Sequence, residues 1–306
     1  MGRRVDAMVT AIVFPGQGSQ APGMGKNLAE KFAVARQVFE EADDALGFAI
    51  SRLCFDGPEE ELQLTENTQP AILTVSVAGF RAMREKGIEA PAFVAGHSLG
   101  EYSALVASGA LSLSDAVRTV RARGRYMQEA VPVGTGAMAA VIGGELDAIE
   151  RICAEARGDQ VCSIANFNAP NQSVIAGNTE AVDRAVELLS GVARKVVKLK
   201  VSAPFHCALM KPAQDRLAPD LAALSFSEPA MPVVTNVDAR ATTAPDELRD
   251  ALVRQVSAPV RWVESMQLLI EQGVDTFVEA GPGKVLSGLM RQISRDVKIL
   301  NVEDVI

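Results

Sequence analysis

Short apolar runs alternate with amphipathic segments along most of the chain, a pattern that predicts parallel strands covered by helices. The runs at 10–14 and 92–96 are apolar, too short for helices, and each is followed by a glycine-containing turn. We predict a buried strand in each. Apolar residues recur at helical spacing in four further segments, which predicts helices at 26–46, 68–87, 100–111 and 113–131.

The order of predicted elements changes after residue 133, where strand, helix, two strands, helix and strand follow one another. The two central strands flank an Asn-Ala-Pro-Asn turn, and the whole order is that of a ferredoxin-like α+β unit. Beyond this unit, short apolar strands followed by loops occur again, as in the first part of the chain. We therefore predict a large α/β domain, residues 8–132 and 203–306, interrupted by a small domain, residues 133–202. Residues 1–7 are predicted to be a short extension.

Composition excludes several classes of function. The 306 residues include 38 acidic and 30 basic ones, a net charge of −8, which argues against nucleic-acid binding. The chain has 2 histidines and 4 dispersed cysteines, too few and too scattered for a typical zinc site, so we predict no metal. No apolar run approaches the roughly 18 residues of a membrane span. The first apolar run leads into a glycine-rich turn rather than a cleavage site, so we predict a cytoplasmic protein with reduced thiols.

The pentapeptide Gly-His-Ser-Leu-Gly at 96–100 matches the nucleophile-elbow pattern G-x-S-x-G. A strand is predicted before it and a helix after it, which is the context that this pattern requires. The turn would expose the Ser98 hydroxyl at a helix N-terminus, where the backbone N–H of Leu99 can meet a developing oxyanion. The alternative is a turn serine that only caps the helix.

A nucleophilic serine needs a base, and the chain offers only His97 and His206. His97 adjoins the serine at a tight turn, so its side chain is expected to point away and to pack or form a hydrogen bond beneath the elbow. His206 lies where the chain leaves the small domain, and we choose it as the base, largely by elimination. The backbone N–H of Gln17, after the first strand, could supply a second oxyanion donor. The glycines around Gln17 match no phosphate-binding consensus.

An arginine in an acyl-transfer pocket would select a substrate that carries a carboxylate, because a guanidinium binds a carboxylate through two parallel hydrogen bonds. The predicted helix at 113–131 carries several candidates, any of which could be solvated surface charge. The residues alone do not choose among Arg118, Arg121, Arg123 and Arg125, although Arg123 adjoins Gly124, where a backbone can approach closely.

Several motifs occur in order along residues 10–300: "FPGQGSQ", "GHSLGEYSAL", "RGRYMQEAVP", "NFNAPNQSVIAG", "APFHCALM", "LVRQVSAPVRW" and "EAGPGKVLSGL". Together they make the chain resemble the bacterial malonyl-CoA:acyl carrier protein transacylases. The resemblance implies an α/β-hydrolase-like core with a parallel sheet and an inserted ferredoxin-like α+β subdomain. It also implies ping-pong transfer of malonyl from coenzyme A to the phosphopantetheine thiol of acyl carrier protein. Malonyl-CoA is then a substrate, and no cofactor is bound permanently.

Carried over residue by residue, the resemblance makes Ser98 the acyl-accepting nucleophile and His206 its general base and acid. It makes Arg123 the clamp for the malonyl carboxylate, and the backbone amides of Gln17 and Leu99 the oxyanion hole. In this family a backbone carbonyl rather than an aspartate orients the histidine. The resemblance assigns that carbonyl to residue 255, a glutamine (Gln255).

Two further expectations concern specificity and docking. Phe205 precedes the histidine. In the related domains of polyketide synthases, a phenylalanine at this position accompanies malonyl and a serine accompanies methylmalonyl, so the resemblance implies that Phe205 favours malonyl. Acyl carrier proteins are acidic, so a net-acidic enzyme needs a local basic face, for which we name Lys195, Lys198 and Lys284. Each of these lysines could equally be ordinary solvated surface.

Two rival functions remain open at this stage. A serine hydrolase could use the same elbow, and an inactive scaffold could bind carrier proteins without transferring acyl groups. The residues also leave open whether the pathway makes fatty acids or polyketides. The resemblance implies a monomer.

Overall fold

The structure, a computed structural model, describes residues 8–201 and 203–306, so the extension predicted at 1–7 lies outside the described residues. Its strands are β1 Thr10–Phe14, β2 Phe93–Gly96, β3 Gly136–Ile142, β4 Cys162–Ala169, β5 Gln172–Asn178, β6 Lys195–Lys198, β7 Val233–Thr235, β8 Arg240–Thr242, β9 Thr276–Glu279 and β10 Lys298–Asn301. Its helices are α1 Lys26–Lys31, α2 Ala33–Leu46, α3 Ile50–Asp56, α4 Glu59–Leu62, α5 Thr65–Glu85, α6 Gly100–Ala107, α7 Leu113–Glu129, α8 Leu146–Arg157, α9 Thr179–Leu189, α10 Lys211–Ala222, α11 Pro245–Gln255, α12 Trp262–Glu271 and α13 Val285–Ile293. Among the described residues, no helix has both the length and the apolar character needed to cross a membrane.

The larger sheet has the strand order β10-β9-β1-β2-β7-β8. Its first five strands are parallel, and β8 runs antiparallel to β7. Phe14 pairs with Gly96 and Val13 with Glu279, so the carboxyl ends of β1, β2 and β9 meet at one edge. Ligands of open α/β sheets bind outside such an edge. The predicted α/β class with a parallel sheet is confirmed.

Helices cover both faces of this sheet, and the first strand shows how the sequence divides between them. Ile12 and Phe14 point into a core shared with α2, α5, α6 and α7. Ala11 and Val13 point the other way, into a core shared with α12 and α13. Successive side chains of a strand face opposite sides, and both sides are buried here, which explains the unbroken apolar run.

The smaller sheet is antiparallel, with the order β4-β5-β3-β6, which is the ferredoxin-like arrangement predicted from the element order. One face packs against α8 and α9 through a core of its own. The opposite face contributes Met138 and Val174 to the core of the larger sheet. Backbone bonds at Val260 also join β4 to the C-terminal part of the chain. The residue limits of the two proposed domains stay a prediction.

Two predicted helices differ from the structure. The single helix expected at 26–46 is wrong, because Phe32 has an extended backbone that separates α1 from α2 and places its ring in the core. The helix expected at 100–111 ends at Ala107, because Gly109 adopts a left-handed conformation with φ +80°. The N–H of Ala110 then donates to the carbonyl of Leu105, which closes the helix.

The turn from β2 into α6 folds back so tightly that it requires glycine twice. A Cβ on Gly96 would lie 1.8 Å from the carbonyl oxygen of Gly100, and one on Gly100 would lie 2.1 Å from that of Phe14. Both obstacles are backbone atoms, which cannot rotate aside as a flexible side chain could. These glycines therefore set the distance between the elbow and the first strand.

We predict that Gly96→Ala lowers the free energy of unfolding by more than about 4 kcal/mol, or prevents folding, because backbone must move to admit the methyl group. The measurement is urea denaturation followed by circular dichroism. Gly288→Ala is the control, since Gly288 lies within α13 and its added Cβ would meet no atom within 4 Å. A Gly96→Ala variant as stable as Gly288→Ala would contradict the steric argument.

Candidate active site

Ser98 has a left-handed backbone, with φ +52°, at the turn between β2 and α6. A non-glycine residue keeps such a conformation only where its surroundings over-determine it. The N–H of Ser98 donates to Oδ1 of Asn236 at 2.6 Å, and its carbonyl accepts from Nε2 of Gln255 at 3.0 Å. Asn236 also donates to the carbonyl of Gly96 at 2.7 Å. The elbow backbone is therefore held on both sides by side-chain amides.

Of the two histidines, His206 is the one that contacts the Ser98 hydroxyl. Its Nε2 lies 2.6 Å from Oγ of Ser98, and its Nδ1 lies 2.9 Å from the backbone carbonyl of Gln255. A carbonyl only accepts, so Nδ1 carries the proton and Nε2 presents its lone pair to the serine hydroxyl. His206 also has a left-handed backbone, with φ +58°. The geometry is that of a serine with a general base whose orienter is neutral.

His97 takes other partners. Its Nε2 lies 2.8 Å from Oδ1 of Asn168, and its ring centroid lies 5.4 Å from that of Trp262. The imidazole thus links the elbow to β4 of the smaller sheet. This is the hydrogen-bonding and packing arrangement expected from the adjacency of His97 to Ser98.

The structure separates Arg123 from the other arginines of α7. Its side chain is 1% exposed, whereas Arg118 and Arg125 are exposed. Its Nη2 donates to Oγ of Ser98 at 3.2 Å. Helical periodicity could have made this choice, because the buried positions of α7 recur at helical spacing and include position 123: Leu113, Ala116, Val117, Thr119, Val120, Arg123, Gly124 and Met127. A Cβ on Gly124 would lie 2.6 Å from the carbonyl oxygen of Thr65, so this glycine lets α7 approach α5 beside the arginine.

Neutral amides, rather than carboxylates, hold the Arg123 guanidinium. Nη1 donates to Oε1 of Gln69 at 2.8 Å, and Nη2 donates to Oε1 of Gln255 at 2.9 Å. Its Nε has no partner among the described residues, and none of their carboxylates forms an ion pair with it. Burial lowers the pKa of Arg123, although a guanidinium stays charged in proteins. A buried cation in this state favours an anionic ligand.

The two backbone amides assigned to the oxyanion hole lie at the same cavity. Gln17 follows β1 and Leu99 follows Ser98, and both line the space in front of the serine hydroxyl. Among the hydrogen bonds of the described residues, none uses the backbone N–H of either residue. A Cβ on Gly16 would lie 2.5 Å from the carbonyl of His97, so glycine lets the two turns approach each other. Both amides remain available to a substrate oxygen.

The cavity in front of Ser98 measures about 210 Å³ and lies between the two sheets. Its polar end holds Ser98, His206 and Arg123. Apolar side chains from the smaller sheet, from the segment that follows β6, and from α7 and α13 form its walls: Met127, Met138, Val174, Leu199, Val201, Phe205, Val285, Leu286 and Leu289. A small charged group can therefore bind beside Ser98 and Arg123 within apolar walls.

Burial governs the titration of the site. Burial, together with the nearby positive charge of Arg123, lowers the pKa of His206 to about 3. Burial also raises the pKa of the Glu101 carboxyl to about 7, against the opposing effects of hydrogen bonds from Asn236 and Gln255 and of the Arg123 charge. His206 is therefore neutral across the physiological range, which is the state in which an imidazole can accept a proton.

The lysines predicted to dock a carrier protein are not among the residues that line the cavity in front of Ser98. Lys198 and Lys284 each precede a residue that lines the cavity, whereas Lys195 lies further back along β6. Lys198 is paired with Asp183, which partly neutralises it. Lys284 is exposed at the start of α13.

Sequence reasoning missed three residues of this site: Gln69, Glu101 and Asn236. Glu101 had a signal, since it is a charged residue in an otherwise apolar stretch directly after the elbow. Asn236 had a weaker one, a polar residue at the carboxyl end of β7. Gln69 had none, because its role depends on how α5 packs against α7.

The fold and this arrangement of groups place the chain in a known class. The pattern described as "Acyl transferase domain" matches residues 11–306, so the chain belongs to the acyl transferase domain family. It is 52% identical over 284 residues to the malonyl CoA-acyl carrier protein transacylase of Escherichia coli strain K12, covering 92% of each chain.

Two solved structures are similar to this chain over nearly its whole length. An acyl carrier protein S-malonyltransferase from Vibrio cholerae is 50% identical, with a TM-score of 0.94 over 96% of both chains. A further match, 49% identical with a TM-score of 0.93 over 95% of both chains, is a type II PKS acyl-carrier protein in complex with its malonyl-transacylase.

We predict that the rate of Ser98 phosphonylation by a fluorophosphonate stays nearly constant from pH 8 down to about pH 5, because His206 remains neutral. An ordinary histidine would lose half of this rate near pH 6.5. The measurement is the labelling rate by intact-protein mass spectrometry, with circular dichroism to show that the fold persists. The pKa of the Glu101 carboxyl is raised to about 7, so the same rates are measured for Glu101→Gln, which removes that titration. A loss of half the labelling rate near pH 6.5 in both proteins would contradict the lowered pKa of His206.

Proposed function

We propose that this protein transfers malonyl from malonyl-CoA to the phosphopantetheine thiol of acyl carrier protein, through a malonyl ester on Ser98. One observation carries the proposal. The Ser98 hydroxyl lies in one cavity with a neutral imidazole at 2.6 Å and a buried guanidinium at 3.2 Å. The first group activates the serine, and the second binds a carboxylate at the far end of the acyl group.

In the first half-reaction, Oγ of Ser98 attacks the thioester carbonyl while Nε2 of His206 takes its proton. The carbonyl oxygen becomes an oxyanion, which the backbone N–H groups of Gln17 and Leu99 stabilise. The carbonyl of Gln255 holds the imidazolium through Nδ1–H. The intermediate then expels the coenzyme A thiolate, to which His206 returns the proton.

The second half-reaction runs the same steps with a different thiol. His206 takes the proton from the phosphopantetheine thiol, and the thiolate attacks the malonyl-serine ester. The oxyanion forms in the same hole, and Ser98 leaves with its proton restored by His206. The acyl donor and the acyl acceptor use one cavity in turn, which gives ping-pong kinetics. The apolar walls limit the entry of water, which would otherwise hydrolyse the ester.

Arg123 supplies selectivity for the acyl group. Its guanidinium is positioned by Gln69 and Gln255, both neutral, so its charge is left for the malonyl carboxylate. Holding that carboxylate also aims the ester carbonyl at the incoming thiol. Phe205 closes part of the wall, and we propose that it favours malonyl over the bulkier methylmalonyl.

The partner and setting follow from the same chemistry. The malonyl-transacylase of the carrier-protein complex, nearly half identical in sequence, supports acyl carrier protein as the acceptor. We propose that Lys284, beside cavity-lining Val285, contributes to its docking, with Lys195 and Lys198 extending the basic surface. The pathway would be fatty-acid or polyketide synthesis in the cytoplasm, and the monomeric state stays a prediction.

The test of this function is intact-protein mass spectrometry after brief exposure to malonyl-CoA. We expect one malonyl adduct on the wild-type protein and none on Ser98→Ala. Added carrier protein should remove the adduct and become malonylated itself. Release of free malonate in place of acylated carrier would identify a hydrolase, and the absence of any adduct would identify a non-catalytic binding protein.

We predict that Arg123→Ala slows malonylation of Ser98 by about 10²- to 10³-fold, because it removes a buried charge-assisted contact with the carboxylate. Acetylation by acetyl-CoA should fall much less, since acetyl has no carboxylate. Single-turnover acylation rates measure both. Arg118→Ala, an exposed arginine of the same helix, should change neither. Equal losses for acetyl and malonyl donors in Arg123→Ala would contradict the clamp.

A further inference from the structure

Glu101 is a fully buried carboxylate on α6, three residues after the nucleophile. Two donors converge on one of its oxygens. The backbone N–H of Asn236 donates to Oε2 at 3.0 Å, and Nε2 of Gln255 donates to the same atom at 2.8 Å. The other oxygen, Oε1, has no hydrogen-bond partner among the described residues. Neither oxygen contacts Ser98, His206 or Arg123 through a hydrogen bond.

The two residues that Glu101 binds are those that hold the elbow. Asn236 receives the N–H of Ser98 and donates to the carbonyl of Gly96. Gln255 donates to the carbonyl of Ser98. Glu101 therefore accepts hydrogen bonds from both residues whose side-chain amides keep Ser98 in its left-handed conformation. Backbone strain of this kind persists only while such contacts hold it.

Glu101 also decides which way the Gln255 amide faces. Because Oε2 of Glu101 accepts the hydrogen bond, Nε2 of Gln255 turns toward Glu101, and Oε1 of Gln255 is left facing the Arg123 guanidinium at 2.9 Å. The opposite orientation would set an NH₂ donor against the guanidinium donors. The backbone carbonyl of the same glutamine accepts from His206. One residue thus touches the nucleophile, the base and the clamp, and Glu101 holds its side chain.

We propose that Glu101 is a positioning residue for acyl transfer, acting through Oε2 alone to fix Asn236 and Gln255 and, through them, Ser98 and Arg123. The proposal rests on the proposed function for its acyl donors. The essential feature of Glu101 is then the acceptor atom Oε2 rather than the negative charge of the side chain. An amide oxygen in the place of Oε2 can accept both hydrogen bonds, with its NH₂ group in the place of the unpartnered Oε1.

The experiment compares Glu101→Gln, which keeps the oxygen, with Glu101→Leu, which removes it at similar size. Asp43→Leu is the matched control, because Asp43 also accepts one backbone and one side-chain hydrogen bond, both from Ser51, and lies in α2 away from the cavity lining. Four quantities are measured for each: the rate of Ser98 acylation by malonyl-CoA, the same rate with acetyl-CoA, the rate of fluorophosphonate labelling, and the melting temperature.

Glu101→Leu should slow malonylation by about a hundredfold, since misplaced catalytic groups cost rates of this order. It should also lower the ratio of malonyl to acetyl rates, because Arg123 loses its fixed amide partner. A loss of stability alone would not move that ratio in protein that remains folded. Glu101→Gln should stay within about threefold of wild type in both rates. Asp43→Leu should lower the melting temperature and leave both rates unchanged.

Two results would overturn the proposal: wild-type rates and selectivity in Glu101→Leu, or a loss in Glu101→Gln as large as in Glu101→Leu. Fluorophosphonate labelling separates this failure from failure of the proposed function. The reagent needs only an activated serine, since Oγ bonds to phosphorus, fluoride leaves and His206 takes the proton. A protein that malonyl-CoA does not acylate, but whose labelling slows in Glu101→Leu, would refute the function and retain the positioning role.

Discussion

The site depends on the strained turn that carries Ser98. A left-handed serine can persist only where neighbouring groups hold its backbone, and the close approach of Gly96, Gly100 and Phe14 leaves no room for a side chain at either glycine. The turn points the hydroxyl away from the sheet, past the carboxyl end of β2. The sheet order then sets the surroundings, because β1 and β7 flank β2 and bring Gln17 and Asn236 to the same edge.

Amides, rather than charges, hold this site together. Gln69 and Gln255 bind the guanidinium, Asn236 binds the elbow, and a backbone carbonyl binds the histidine. A carboxylate in any of these places would satisfy Arg123 or stabilise the imidazolium, and so compete with a charged substrate. Neutral partners give the arginine a fixed position while leaving its charge unmatched, which is the condition under which it can discriminate between acyl groups.

Much of the fold could be predicted from the sequence, because local patterns set it. Buried parallel strands read as short apolar runs, and the elbow glycines mark a turn whose geometry admits no side chain. The failures were local too: Phe32 interrupts a periodic helix because its ring joins the core, which periodicity alone does not reveal. For the site, only resemblance could name Gln255, since the atom that meets His206 is a backbone carbonyl, and every residue has one.

The sequence by itself determined the class of fold, and it proposed Ser98 as the nucleophile and, with so few histidines in the chain, His206 as the base. These follow from patterns within a few residues or from counting residue types. Only the tertiary structure decided which atoms meet. Glu101 and Gln255 are 154 residues apart, and Ser98 and His206 are 108 apart, so their contacts exist only once the strand order brings separate turns to one edge. Hydrogen bonds are short and directional, and no pattern along the chain encodes a distance between segments that become neighbours through folding alone.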